Sequence, residues 1–327
     1  MEPHFFYCLP NPGFESRLKA EAAEHTPDLH PSFSRPGFVT FKASRHRSVP
    51  RFTFSRITGR FLAKGDASAA QAAEASQGVG RSVHRFSLAE GKGSGNEAPV
   101  GSEVLDVIEV ALDQFWWGVR KVEPWGWGVP GGAPGLVLPD QAPSRAWLKL
   151  EEMLWWSRWS PGPGTVALEL GSAPGGASWA LLNRGARVVG VDVAPMAPVC
   201  LENPNYTHLT LSVRDLRKKD LPGTIDVLFC DLGLKPVEAV PQVRHLCQIF
   251  PSIMRLYYTL KLGEGQSTSD LDGWGEAIRR LGFTVRTTHL PSNRMEILVA
   301  GVRSQASGDD AQRALQPSTK SSAPPTS

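Results

Sequence analysis

Apolar and polar positions divide the chain into two stretches with different rhythms. Between Phe5 and about Lys64, short apolar runs such as Phe5-Phe6-Tyr7-Cys8 and Phe38-Val39-Thr40-Phe41 sit between Pro, Gly and Asn turns. A helical pattern near Phe14 to Glu24 interrupts them, so this stretch predicts a small α+β unit. Residues 65–100 shift to Ala, Ser, Gly and Gln with no sustained apolar period, which predicts a linker with one weak Ala-rich helix. An apolar segment from Val104 to Val119, helix or strand, closes the first half. A Gly/Pro/Trp-rich loop follows from Pro124 to Pro139.

Residues 144–302 behave differently. Strand-like runs recur at 165–171, 186–192, 207–213, 225–231, 255–262, 283–290 and 295–302, with helical patterns between most of them, as at Ala177–Arg184, Val240–Met254 and Leu271–Leu281. Strand and helix in alternation predict an α/β domain whose seven-stranded, mostly parallel sheet is covered on both faces. From about Ser304 the chain is Ser/Ala/Pro/Gln-rich, which predicts a disordered tail.

A length of 327 residues fits two domains and a tail, and 41% hydrophobic residues suffice for a core in each. The net charge of +3 decides nothing by itself. Its distribution does more. Arg35, Lys42, Arg45, Arg47, Arg51, Arg56, Arg60 and Lys64 follow one another with no Asp or Glu among them, interleaved with Phe38, Phe41, Phe52, Phe54 and Phe61. Such a cationic run suits phosphates, while most of these phenylalanines are expected in the core. The tryptophans Trp116, Trp117, Trp125, Trp127, Trp155, Trp156 and Trp159 are read as inter-domain packing rather than as base-stacking platforms. Cys8, Cys200, Cys230 and Cys247 are scattered and form no CxxC pair, so neither a metal site nor a disulfide framework is expected. No signal-peptide pattern and no run of ~20 apolar residues appears, so the expectation is a soluble cytoplasmic protein without membrane contact.

The sharpest local feature is Val166-Ala-Leu-Glu-Leu-Gly-Ser-Ala-Pro-Gly-Gly176, a strand running into a glycine-rich turn and then a helix. Gly171, Gly175 and Gly176 free the backbone to turn tightly beside a helix N-terminus, with Ser172 and Pro174 between them, which is where α/β sheets bind nucleotides. The next strand ends about 20 positions later in Asp192, placed to accept hydrogen bonds from ribose hydroxyls, and Asp215 after the third strand suits an adenine amino group. A phosphate-binding P-loop is excluded because no Gly-Lys-Ser/Thr follows. A dinucleotide dehydrogenase is disfavoured because Ser-Ala-Pro fills the place of the second glycine.

These residues carry a family resemblance. Gly171-Ser-Ala-Pro-Gly-Gly176, Val191-Asp192-Val-Ala-Pro-Met196 and Ser144-Arg-Ala-Trp-Leu-Lys-Leu150 closely resemble the FtsJ-type RNA 2′-O-ribose methyltransferases. The lead-in Leu138 to Arg145 and the N-terminal Tyr7-Cys-Leu-Pro-Asn-Pro-Gly-Phe-Glu15 are most similar to members acting on large-subunit ribosomal RNA. The resemblance implies a Rossmann-like class I methyltransferase domain over 144–303, S-adenosyl-L-methionine as cofactor, and RNA as partner. It also implies a ferredoxin-like and THUMP-like RNA-binding region over 1–120, with the linker at about 65–100 and a connecting loop at 121–143. The family's Lys-Asp-Lys-Glu catalytic set falls on Lys149, Asp231, Lys261 and Glu296, with Asp231 also beside the cofactor. Lys261 would assist deprotonation of the 2′-hydroxyl, as a neutral base or as a cation stabilising the alkoxide. An amino-group methyltransferase is disfavoured because Asp231-Leu-Gly-Leu replaces its Pro-Pro segment. A cysteine-nucleophile enzyme is disfavoured because Phe229, not Pro, precedes Cys230. A catalytically silent RNA-binding or ribosome-assembly factor with a relic fold, and methylation of another RNA class, are the competing functions.

Overall fold

The computed structural model describes residues 4–45, 48–263 and 268–303; Arg47 and the tail expected over 304–327 lie outside the described residues. The first half builds one sheet from β1 (His4–Leu9), β2 (Leu29–Arg35), β3 (Phe38–Ala43), β4 (Ile57–Gly65), β5 (Ser82–Ser87), β6 (Lys92–Ser94), β7 (Glu103–Ala111) and β8 (Gln114–Lys121), with helices α1 (Glu15–His25) and α2 (Ala67–Gln77). Its strand order is β2-β3-β1-β4-β8-β7-β5-β6, mostly antiparallel with β5 parallel to β7. Phe38, Phe41, Phe52 and Phe54 are buried, as their apolar runs require.

The expected linker over 65–100 is instead part of this sheet. Asp66 caps α2 by accepting from the Ala69 amide at 2.8 Å, and Ala70 and Ala73, one turn apart, are buried in a cluster with Leu105, Val107 and Trp117. Alanine buries little area, so the face is invisible as an apolar stripe, yet its small size lets the helix lie close to the sheet. Strand β5 shows only Val83 and Phe86 as large apolar residues and gains its order from pairing with β6 and β7. The Val104–Val119 segment is two strands, β7 and β8, joined at Asp113 in a positive-φ turn.

The second half runs α3 (Ala146–Ser157), β9 (Val166–Leu170), α4 (Gly176–Leu182), β10 (Arg187–Val191), α5 (Pro198–Leu201), β11 (Tyr206–Leu209), β12 (Val227–Cys230), α6 (Pro236–Ile249), β13 (Arg255–Lys261), α7 (Thr268–Arg279), β14 (Phe283–Thr288) and β15 (Glu296–Arg303). The sheet order is β11-β10-β9-β12-β13-β15-β14. All neighbours are parallel except β15, which runs antiparallel to both β13 and β14. The chain winds outward in opposite directions from β9 and β12, so the crevice at their carboxyl ends is a topological switch point.

Core and polar contacts join the halves. One apolar cluster contains Phe6, Leu18, Phe52 and Phe54 together with Leu271, Ile278, Phe283 and Val285. Of the tryptophans, Trp125, Trp127, Trp155, Trp156 and Trp159 gather around α3, whereas Trp116 and Trp117 pack within the first sheet. A buried network ties the first sheet to the connecting loop: Asp106 accepts from Tyr7 at 2.6 Å and from Arg120 Nε at 2.7 Å, and Arg120 donates to the Trp127 carbonyl at 2.8 Å. Burial alone would push the Asp106 carboxyl up; Arg120 and its other donors outweigh that and hold it below the usual carboxylate range.

No helix among the described residues is long and apolar enough to cross a membrane. Replacing Asp106 by Ala leaves the Arg120 guanidinium and the Tyr7 hydroxyl buried without their shared acceptor. The expected loss is about 3–5 kcal/mol of stability. Urea unfolding measures it, and an unchanged midpoint would show that the network does not support the fold.

Candidate active site

Four residues distant in sequence meet at the carboxyl edge of the second sheet. Asp231 directly follows β12 and Lys261 ends β13. Glu296 opens β15, and because β15 is antiparallel its first residue lies directly across from Lys261 in register. Lys149 arrives from α3, which packs against α4. Lys149 Nζ lies 2.9 Å from Asp231 Oδ2 and 2.6 Å from Glu296 Oε1; Lys261 Nζ lies 2.7 Å from Asp231 Oδ1 and 2.6 Å from Glu296 Oε2. The result is a closed ring of alternating charge in which each carboxylate oxygen serves one amine.

Burial sets the electrostatics. It would push the Asp231 carboxyl up, but the Lys149 and Lys261 ammoniums outweigh it and hold the pKa below the usual carboxylate range. Burial likewise draws the Lys261 amine down, and Asp231 and Glu296 outweigh it, leaving its pKa above the ordinary lysine value. Lys261 is therefore an ammonium at neutral pH.

The glycine-rich turn stands next to the ring. The Asp231 amide donates to the Leu170 carbonyl at 3.0 Å, and a Cβ on Gly171 would come within 2.5 Å of the Asp231 carbonyl oxygen. Gly171 (φ +80°) and Gly175 (φ +117°) also need backbone angles that other residues resist. A Cβ on Gly175 would meet Cys200 Sγ at 2.6 Å, and one on Gly176 would meet the Ser144 carbonyl at 2.6 Å, so both permit chain-on-chain packing. Ser172 is buried, with Tyr206 donating to its hydroxyl at 3.4 Å, and the Ala173–Pro174 bond is cis. Asp192 tips β10 as expected: its Oδ2 accepts from the Ala173 amide at 3.0 Å and its Oδ1 from the Ala194 amide at 2.9 Å. Asp215 is exposed in the turn after β11. Among the described residues no group of His, Cys, Asp and Glu is placed to hold a metal.

A cavity of about 30 Å³ lies beneath the ring, lined in part by Lys149, Glu169, Gly171, Asp231, Tyr257 and Thr259. Three of these, Glu169, Tyr257 and Thr259, were not singled out by the sequence. Thr259 Oγ1 is buried without a hydrogen-bond partner, and Glu169 is buried in the middle of β9, where Ser178 donates to it at 2.5 Å. Burial pushes the Glu169 carboxyl up to about 8 against that hydrogen bond, with Asp231 and Asp192 adding repulsion. A glutamate inside the apolar run Val-Ala-Leu-Glu-Leu was the available signal, since a charge there is costly without a purpose.

The cationic run of the first half is less uniform than its sequence. Lys42, Arg45 and Arg60 are exposed, but Arg51 pairs with Glu123 and Lys64 stacks over Trp116 at 4.8 Å. Arg56 is half-buried and lies over the Phe86 ring at 5.6 Å; burial pushes its guanidinium down to about 10, with Glu152 of α3 pulling the other way.

Glu169 yields a test with a definite sign. An acid whose folded pKa exceeds its unfolded value costs stability as pH rises between the two, here from about 4.5 to about 8. Glu169→Gln should therefore be more stable than the wild type at pH 8 by about 4 kcal/mol, with a gap of about 1 kcal/mol at pH 5. Urea denaturation at the two values checks it; an equal gap at both would mean Glu169 does not titrate in this range.

Residues 142–266 match the FtsJ-like methyltransferase family. The chain is 37% identical over 168 residues to Ribosomal RNA large subunit methyltransferase M of Teredinibacter turnerae, covering 44% of this chain and 45% of that one. It is 29% identical over 210 residues to the protein of the same name from Ectopseudomonas mendocina, covering 60% and 55%. With the counterpart from Halorhodospira halophila it shares 39% identity over 114 residues, 34% of this chain and 32% of that one. The chain thus matches about half or less of the length of these curated relatives. The sheet order and the glycine-rich turn give the second half the Rossmann-like fold of the class I methyltransferases, in agreement with the similarity of residues 142–266 to the FtsJ-like methyltransferase family.

Proposed function

We propose that this chain is an S-adenosylmethionine-dependent RNA 2′-O-ribose methyltransferase whose substrate is large-subunit ribosomal RNA, acting in the cytoplasm. The observation that carries the reading is the ring of Lys149, Asp231, Lys261 and Glu296 at the switch point, one residue from the turn that opens at Gly171. The names of the relatives support ribosomal RNA as the acceptor.

The residues present fit the cofactor. Asp192 keeps lone pairs for ribose hydroxyls beyond the two amides it accepts, and Asp231 lines the cavity beside Gly171. In this reading the turn Gly171, Ser172, Pro174, Gly175 and Gly176 cradles the ligand with Asp192, and Asp215 reaches it from the rim. When bound, the cofactor supplies a methyl group already activated on a sulfonium. What remains for the protein is to position the 2′-hydroxyl and take its proton.

Lys261 Nζ takes that proton. As an ammonium it has no lone pair, so it must first release its own proton, which the flanking carboxylates oppose. Lys149, sharing both carboxylates, supplies the neighbouring positive charge, and Asp231 and Glu296 hold the two amines at fixed positions. The first half, residues 1–120, is proposed to gather the RNA in the manner of a ferredoxin-like and THUMP-like region, with Lys42, Arg45 and Arg60 as exposed phosphate contacts.

Purified protein should transfer labelled methyl groups to deproteinised ribosomal RNA and leave an alkali-resistant 2′-O-methyl linkage. Cofactor binding without transfer would favour the silent assembly factor, and label on a base would exclude ribose chemistry. Lys261→Ala should slow transfer by about 100- to 10,000-fold with cofactor affinity nearly unchanged. The neutral amine grows with pH below its raised pKa, so the wild-type rate should climb between pH 7 and 9. A flat profile would leave Lys261 a charge stabiliser rather than a base.

A further inference from the structure

Glu152 is a buried carboxylate for which the chemistry above has no use. It lies on α3 three residues after Lys149, just short of one helical turn, and is 4% exposed. Its Oε2 accepts two hydrogen bonds from a single residue across the site: the Ser292 amide at 2.9 Å and the Ser292 hydroxyl at 2.7 Å. Ser292 belongs to residues 289–295, the irregular connection from β14 to β15 that delivers Glu296. Within it, Asn293 Nδ2 donates to the Glu296 carbonyl at 3.1 Å.

The first half grips the same connection. The His289 amide donates to the Thr53 carbonyl at 2.7 Å, and Asn11 Nδ2 donates to the Leu290 carbonyl at 2.8 Å. The Thr53 and Thr287 hydroxyls are 2.7 Å apart. Arg56, also from the first half, and Arg145 at the start of α3 direct positive charge at Glu152. Burial pushes the Glu152 carboxyl up to about 7 against the Ser292 bonds and these two arginines.

A buried carboxylate is costly, and an apolar side chain of similar size would fill the same space more cheaply. Four-membered charge rings tolerate little displacement, whereas the element bearing Glu296 is preceded by irregular backbone. We propose that Glu152 is a positioning residue that fixes the helix bearing Lys149 to the connection bearing Glu296, so that both carboxylates of the ring meet both amines. Arg56, Asn11 and Thr53 extend this brace into the first half, making the ring's geometry depend on docking between the halves. The proposal rests on reading the ring as the reaction centre, but its geometric core does not.

The test compares E152M, which fills the space without an acceptor, and E152Q, which keeps a carbonyl acceptor for Ser292. Isotope-labelled lysine side chains are titrated by NMR, with the Lys261 signal assigned through K261M. In E152M the Lys261 pKa should fall toward the ordinary lysine value as Glu296 moves away, and in E152Q it should stay raised. With RNA, kcat should drop about 10- to 100-fold in E152M while KM and cofactor affinity stay within about twofold, and E152Q should recover most of it. A folded E152M with an unchanged Lys261 titration would reduce Glu152 to a packing role and overturn the proposal. Wild-type protein that transfers no methyl group to RNA would instead defeat the functional reading, and the titration would still decide the positioning claim. Should E152M fail to fold, S292A removes one of the two donors and is read by the same titration, where no shift at all counts against the brace.

Discussion

Two ammonium groups and two carboxylates share a part-buried sheet edge here because each charge touches two of opposite sign. Any one of them alone would be costly to withdraw from water. Together they form a ring of net zero charge with all four contacts between 2.6 and 2.9 Å. The arrangement depends on one topological feature. If β15 ran parallel to its neighbours, its first residue would lie at the far end of the sheet. Because it runs antiparallel, Glu296 faces Lys261 at the end where the parallel strands deliver Asp231. The reversal of a single strand thus supplies the second carboxylate.

The same requirement explains how the halves are joined. The ring draws on α3, two parallel strands and the antiparallel strand, and two of these, α3 and β15, lean on residues 289–295. A core running from Phe6 and Phe54 to Phe283 and Val285 makes the two halves one packed body around this junction. The aromatic residues behave accordingly: Trp159 stacks on Tyr257 of β13, and Trp125 meets Trp156 of α3 edge-on. These large side chains fill the seam behind α3.

Much of the second half was legible in the sequence, because both faces of a parallel sheet are covered and its strands read as unbroken apolar runs. Lys261 and Glu296 were named by the family resemblance, and each falls at the end of such a run. The first half was legible only where its residues are large. Ala70 and Ala73 bury a helix face without an apolar stripe, and β5 is ordered by its neighbours rather than by its own pattern, so an ordered segment reads as a linker. Arg56 and Glu152 were opaque for another reason. On composition both are ordinary surface charges, and only the meeting of the two halves buries them near one another. Local pattern reports which face of an element is apolar; it does not report what that face will meet.

The distribution of charge around the switch point follows from these positions. The ring cancels internally, and Glu169 behind it is held largely neutral near pH 7 by burial. Asp192 is different: the bonds to its two oxygens come from uncharged backbone amides of Ala173 and Ala194. The crevice between β9, β10 and β12 therefore keeps a net negative character although its most conspicuous side chains are lysines. A ligand carrying positive charge is favoured there, and a second anion beside Asp192 is not. The polyanionic acceptor proposed above is accordingly disfavoured beside Asp192, which leaves that side of the crevice and the glycine-rich turn to the smaller ligand. The carboxylates of the ring then serve two ends at once: they hold the amines in place, and they keep the crevice from turning positive on the cofactor's side.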